Sequence, residues 1–255
     1  MLGGAGQAQR HLPHEIDARH QPMLARMEPD EYIRGLAAAS LANDDATGWW
    51  DTLYVAAGEG RTAIPWDRGG PHRLLASWPG LSRADAGSSD AAGTPAAAGR
   101  GTAVVVGAGL GGDAEFLAAH GWRTTAFDIS PAAIDTARER FPDSPVEYAV
   151  ADLFAPPPPM AAGFDLVLES MTVQAMPRSY RARAVAAVRA LVRPGGTLLV
   201  IAAAIDEGEQ SEDGPPWPLT RAELESFATP ALSAVSIEEF TDGGLHRWRA
   251  EFRAA

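Results

Sequence analysis

The sequence predicts an α/β fold: a mostly parallel seven-stranded sheet with helices on both faces and an antiparallel C-terminal strand. Three observations predict it. Between residues 102 and 203, short apolar runs alternate with segments of helical length and pattern, which implies right-handed crossovers and a parallel sheet covered on both faces. The first apolar run breaks into Gly107-Ala108-Gly109-Leu110-Gly111-Gly112 and restarts as a helix. Finally, runs at 234–240 and 245–252 are separated only by Thr241-Asp242-Gly243-Gly244, close enough for a hairpin.

From the N-terminus, residues 1–26 hold His11, His14 and His20 but little periodicity, and read as a disordered extension, with Met27 an alternative start. Behind Pro29 and Asp30, the residues Ile33, Leu36, Ala37, Ser40 and Leu41 recur at helical spacing. Residues 27–82 form a helical and aromatic lid segment that gathers Trp49, Trp50, Trp66 and Trp78, closing with a short helix around Leu74, Leu75 and Trp78. Trp50, Trp66 and Trp217 fall in stretches that read as loops, whereas Trp122 and Trp248 read as packing residues. The Ala/Gly/Ser/Asp-rich stretch 83–100 lacks the large apolar groups needed to offset ordering entropy, and is expected to be a flexible linker.

The remaining core, 101–255, is expected to carry strands at 102–106, 123–127, 146–150, 164–168 and 196–203, the last entered by the turn Arg193-Pro194-Gly195. Helices fall between them. One spans 112–120; a second spans 131–141 with Ser130 as N-cap and Pro131 at its first position; a third spans 179–191 with Val185, Val188 and Val192 on one face. A helix at 220–227 opens with the capping box Thr220/Glu223 and a Leu219/Leu224 staple.

Composition removes several functions. The 21 basic residues are all arginine, so the amine of a Schiff-base enzyme or of a phosphate-binding loop is missing. The absence of cysteine removes thiol nucleophiles, disulfides and thiolate metal sites. With 33 acidic residues and a net charge of −12, the chain lacks the basic stripe that nucleic acid requires. No apolar run approaches the roughly 20 residues of a membrane span, and no secretory signal is evident, so a cytoplasmic protein with a small-molecule partner and no metal is expected. Whether it is a monomer or a dimer stays open.

The glycine bend carries the chemistry. Glycine lets backbone approach a ligand where a Cβ would collide, and a helix start offers free N–H groups to an anion. Gly107-x-Gly109-x-x-Gly112 satisfies the dinucleotide fingerprint, and Asp128 at the end of the second strand is placed for ribose hydroxyls. Asp152 follows the third strand and Glu169 ends the fourth. Three acids thus line the carboxyl edge where open α/β sheets bind ligands.

In this ordered set, GAGLGGDAEFLAAHGWRTTAFDIS, ADLF, FDLVLES and LVRPGGTLLVIA, the sequence resembles the class I S-adenosylmethionine-dependent methyltransferases, over residues 102–202. WWDTLY, AIPWDRGGPHRLLASW and GPPWPLT resemble the flanking segments of thiopurine S-methyltransferase-like small-molecule thiol methyltransferases. The resemblance implies a Rossmann-like sheet and S-adenosylmethionine as cofactor, with S-adenosylhomocysteine as product. It implies that Gly107, Ala108, Gly109 and Gly111 wrap the methionine and ribose, that Asp128 and Ile129 meet the ribose, and that Asp152 and Leu153 flank the adenine. Trp50, Tyr54 and Trp66 would close over the cofactor, and Trp66, Ser170, Thr172 and Trp217 would meet the acceptor. Glu169 is the candidate base should the acceptor be a hydroxyl or amine, and otherwise a cofactor contact; His72, His120 and His246 are expected to be non-catalytic. The remaining alternatives are a flavin or nicotinamide oxidoreductase, whose fingerprint normally starts the chain, and a non-catalytic cofactor-binding module. An acidic surface and Glu169-Ser170-Met171-Thr172 after the fourth strand, in place of an Asp/Asn-Pro-Pro-aromatic tetrad, favour a small molecule over DNA.

Overall fold

A computed structural model describes residues 29–82, 99–160, 163–209, 214–242 and 244–255. The expected extension 1–26 lies outside the described residues, as does all of the expected linker except Gly99 and Arg100. Seven strands form one sheet in the order β3-β2-β1-β4-β5-β7-β6. They are β1 (Thr102–Val106), β2 (Arg123–Asp128), β3 (Glu147–Val150), β4 (Phe164–Ser170), β5 (Val192–Ala203), β6 (Leu232–Asp242) and β7 (Leu245–Ala254). The first five run parallel, and β7 inserts antiparallel between β5 and β6.

Both faces of the central strands are buried, which is why these strands read as continuous apolar runs rather than alternating ones. Val104, Val106, Val167, Leu198 and Val200 pack on one face with Trp248 and Phe252. Ala103, Val105, Leu166, Leu168, Leu199 and Ile201 pack on the other with Trp122. The helices are α1 (Pro29–Leu41), α2 (Trp49–Gly58), α3 (Arg73–Ala76), α4 (Gly112–Ala119), α5 (Pro131–Arg140), α6 (Arg181–Ala190) and α7 (Arg221–Glu225), all but α2 expected. Ser130 caps α5 by accepting the Ala133 N–H at 3.1 Å, and the Thr220/Glu223 capping box opens α7.

Three local expectations need correction. Trp50 lies in α2 rather than in a loop: Trp49, Leu53 and Ala56 recur at helical spacing and bury one face against Tyr32, Ile33 and Ala37 of α1. Val192 belongs to β5, not to the face of α6 that carries Val185 and Val188, because it pairs with Phe164 across the sheet. Arg193-Pro194-Gly195 therefore lies within β5, where the pairing register shifts between Phe164 and Leu166, instead of preceding the strand.

The N-terminal segment is joined to the core at several points. Leu74, Leu75 and Trp78 pack into the sheet-face cluster that contains Leu117. Trp78 Nε1 donates to Glu251 of β7 at 2.9 Å. Arg100, at the end of the expected linker, donates through its guanidinium to Gly80 O at 3.2 Å and through its backbone N–H to Gly121 O at 3.0 Å. Strand order reverses between β1 and its neighbours β2 and β4, which opens a crevice at their carboxyl ends.

Candidate active site

That crevice holds a cavity of about 580 Å³, walled by the glycine bend, the carboxyl ends of β2 and β4, and the aromatic residues of the N-terminal segment. The bend leaves β1 with Gly107 at φ 61° and Gly109 at φ 51°, a left-handed conformation that side chains resist. Space imposes the same choice: a Cβ on Gly109 would stand 3.0 Å from the Tyr54 hydroxyl, and one on Gly107 would collide with Thr172. The bend is tied down by Ala108 N–H donating to Phe127 O at 2.9 Å and by Thr172 Oγ1 donating to Val106 O at 2.8 Å.

Asp128 organises the next layer. Its Oδ2 accepts the Gly109 N–H at 2.9 Å and its Oδ1 accepts the Ser130 N–H at 3.0 Å. Burial pushes its carboxyl above the ordinary range, and these backbone donors oppose the rise. Asp51 of α2 accepts from Ser130 Oγ at 2.7 Å and from Ala132 N at 3.1 Å. An acid in the first turn of α2 thereby clamps that helix onto the start of α5 and brings Trp50 and Tyr54 over the cavity. Trp66 Nε1 donates to Tyr54 Oη at 3.3 Å, and the Trp66 ring meets Trp50 edge-on with centroids 5.5 Å apart. Arg140 of α5 holds Asp67 through two hydrogen bonds, at 3.0 and 2.6 Å, fixing the Trp66 turn from below and keeping the Asp67 carboxyl depressed. Burial, and then the Asp128 charge, push the Tyr54 phenol upward, so Tyr54 stays a neutral hydroxyl.

Most of the expected site residues meet here. Trp50, Tyr54, Trp66, Gly107, Ala108 and Gly109 line the cavity on one side. Asp128, Ile129, Asp152 and Leu153 line it along β2 and β3, and Ser170 and Thr172 at the end of β4. Asp152 Oδ1 accepts the Phe154 N–H at 2.8 Å, which shapes the turn after β3.

Three residues are placed otherwise. Gly111 is the N-cap of α4, packed against Tyr148 and outside the cavity wall. Trp217 is buried behind the wall: its N–H donates to Gln174 O at 2.7 Å and its carbonyl accepts from Arg181 at 2.9 Å, while Pro215 and Pro216 reach the cavity instead. Glu169 is fully buried and is not a wall residue. Its Oε1 accepts the N–H groups of Thr172 and Val173, each at 2.8 Å, so it caps the turn that carries Thr172. Burial pushes its carboxyl up to about 7, against those two donors and Arg181.

Among the wall residues that sequence reasoning did not place at the site are Asp113, His72, Arg68 and Arg247. Asp113 follows the last glycine of the bend directly, a position that could have been read from the motif. It is half-buried, desolvation pushes its carboxyl upward, and its Oδ1 accepts the His72 N–H at 2.6 Å. His72 is the N-cap of α3 and its Nδ1 accepts the Leu74 N–H at 3.1 Å, which assigns the proton of the neutral ring to Nε2. Burial pushes its pKa down to about 4, helped by Arg68, Arg247 and Arg73. Of the other weighed histidines, His120 ends α4 at the surface and His246 pairs with Glu239 on the terminal hairpin.

Among the described residues no helix is long and apolar enough to cross a membrane. The sheet and its crevice define a Rossmann-like fold, and comparison with known proteins finds that fold among methyltransferases. Residues 104–198 match the model of a methyltransferase domain family. A probable thiol methyltransferase 2 of Arabidopsis thaliana is 26% identical over 202 residues, 77% of this chain and 79% of that protein. The structure reported for conversion of a disulfide bond into a thioacetal group during echinomycin biosynthesis is 21% identical, with a TM-score of 0.59 over 80% of this chain and 93% of that one. The Burkholderia thailandensis 1,6-didemethyltoxoflavin-N1-methyltransferase, bound to 1,6-didemethyltoxoflavin and S-adenosylhomocysteine, is 20% identical, with a TM-score of 0.51 over 61% of this chain and 71% of that one.

Proposed function

We propose that this protein is an S-adenosylmethionine-dependent methyltransferase acting on a small molecule, with a thiol as the acceptor group. The observation that carries the cofactor is the Asp128–Gly109 hydrogen bond at the point where strand order reverses. It holds a bend whose glycines leave room where any Cβ would meet Tyr54 or Thr172, and such a cradle suits the methionine and ribose of the cofactor. Asp128 would accept from the ribose hydroxyls, Asp152 and Leu153 would flank the adenine, and the Trp50, Tyr54 and Trp66 rings would cover the sulfonium, a cation that aromatic faces favour. When bound, the cofactor supplies a methyl group already activated by its positive sulfur. The chain's own task is then to align the acceptor and exclude water. α2, clamped by Asp51, and the Trp66 turn, clamped by Arg140, are suited to do so.

The thiol is favoured by the state of the wall. Asp113, Asp128 and His72 of the wall each already accept a backbone N–H: Asp113 from His72, Asp128 from Gly109 and Ser130, and His72 from Leu74. Glu169, the candidate base, lies beneath the wall with its Oε1 accepting two backbone N–H groups. A thiol needs little help, because its thiolate is accessible near neutral pH. The Arabidopsis relative carries the name of a thiol methyltransferase, which supports the same reading. The oxidoreductase alternative has no comparable support, since the matched family model is a methyltransferase domain.

Calorimetric titration with S-adenosylhomocysteine, followed by mass detection of methyl transfer to matched thiols, phenols and amines, tests this. Binding in the micromolar range and turnover of thiols ahead of the others is expected. Heat with a flavin or nicotinamide and none with S-adenosylhomocysteine would overturn the cofactor; turnover of phenols or amines alone would overturn the acceptor.

A further inference from the structure

The proposed reaction leaves one part of the cavity wall unused. Arg68, in the turn after Trp66, and Arg247, on β7, both line the cavity beside His72. Several arginines described here have carboxylate partners: Arg140 pairs with Asp67, Arg178 and Arg181 with Glu223, Arg193 with Asp165, and Arg249 with Glu238. Among the described residues Arg68 makes no ion pair, and the hydrogen bond of Arg247 goes to a backbone carbonyl, His246 O, at 2.8 Å. The Arg247 pKa is lowered by burial first, then by the nearby charges of Arg68 and Arg73. Arg68 lies within electrostatic reach of Asp113, whose Oδ1 is held by the His72 N–H.

Arg247 is half-buried, and a partly desolvated guanidinium beside the second cation Arg68 costs free energy unless an anion joins them. In a chain with 33 acids and 21 arginines, partners could readily have been supplied. His72 fits the same purpose. Being neutral it adds no further charge, and with its proton on Nε2 it offers a donor.

Position in the sheet selects the ligand. Asp128 and Asp152 stand at β2 and β3, on one side of the bend, whereas Arg247 stands on β7, beyond β4 and β5 on the other side. We propose that Arg68, Arg247 and His72 form an anion subsite on the acceptor half of the cavity, which recognises an oxyanion group, such as a carboxylate, carried by the methyl acceptor. Guanidinium groups suit this chemistry because their fixed fork matches two oxygens at once. The inference deepens the functional reading above and rests on it for the word acceptor.

The test is calorimetric and needs no turnover. Benzoate against benzamide, and butyrate against butyramide, are titrated into the protein saturated with S-adenosylhomocysteine and into the ligand-free protein. The carboxylates are expected to bind at least about tenfold more tightly than the amides. Arg247→Gln and Arg68→Gln should each remove most of that preference, while S-adenosylhomocysteine affinity stays within about twofold, which also reports an intact fold. Equal binding of acids and amides would overturn the subsite. So would variants that keep the preference and lose about tenfold in S-adenosylhomocysteine affinity, since the guanidiniums would then hold the methionine carboxylate of the donor. If S-adenosylhomocysteine fails to bind while the ligand-free protein still prefers carboxylates, the anion subsite stands and the methyltransferase reading falls.

Discussion

The carboxylate of Asp128 accepts the backbone N–H of Gly109 across 2.9 Å, joining two residues 19 apart in sequence and fixing the bend after β1 to the end of β2. The same side chain accepts the Ser130 N–H, so it sets both the cradle and the start of α5. Asp128→Ala should weaken S-adenosylhomocysteine binding by about 1.5–3 kcal/mol, the scale of hydrogen bonds to a charged group. Asp128→Asn, which keeps an acceptor oxygen, should lose less. Calorimetry on both variants checks the order; equal affinities for wild type and Asp128→Ala would remove Asp128 from the site.

Gly109 is held at φ 51° with Tyr54 Oη 3.0 Å from where a Cβ would stand. Gly109→Ala therefore meets backbone strain and a side-chain conflict together. A loss of about 1–2 kcal/mol in stability is expected from the left-handed backbone, read as a fall of a few degrees in Tm. Cofactor affinity should fall further than that, because Tyr54 must move away from the bend.

Asp51 is the clamp between α2 and α5. Asp51→Ala should leave the sheet intact and raise amide hydrogen exchange over Trp49–Gly58, with weaker S-adenosylhomocysteine binding as the aromatic cover loosens. Unchanged exchange in that helix would show that the α1 contacts of Trp49 and Leu53 suffice to hold it.

Glu169 links stability to pH. Its folded pKa of about 7 lies above the ordinary 4.5, so the folded state holds the proton more tightly than the unfolded chain. Stability from this group is fully present below pH 4.5 and is lost as pH rises through about 7, by about 3 kcal/mol in all. Glu169→Gln cannot ionise and still presents an oxygen to Thr172 and Val173, so its advantage over wild type should grow across that window. His72 works in the opposite sense, since its depressed pKa of about 4 adds stability as pH rises from 4 to 6.5; taking the difference between variant and wild type cancels it. Parallel urea-unfolding curves from pH 4.5 to 7.5 provide the measurement.

The strands were legible because burial on both faces leaves an uninterrupted apolar run, as in Thr102–Val106, and because the caps at Ser130 and Thr220 are local. Asp128 and the bend were legible for a similar reason: glycine spacing and a strand-end acid are sequence-local signals. Trp50 was misplaced because aromatic crowding masked the helical spacing of Trp49, Leu53 and Ala56. Glu169 and Trp217 were expected to face ligand, yet Glu169 Oε1 and the Trp217 backbone are taken up by partners that depend on the tertiary fold, and neither residue lines the cavity. His72, Arg68 and Arg247 come together only when β7 folds back beside α3, across more than 170 residues, as the Arg249–Leu74 hydrogen bond illustrates.

The most direct test of the whole account is a crystal structure of the protein grown with S-adenosylhomocysteine. The expected density has the ribose against Asp128, the adenine beside Leu153 and the sulfur beneath Tyr54 and Trp66. Density for the compound at any other place, or a bend at Gly107–Gly109 closed by side chains while the compound is present at saturating concentration, would contradict it.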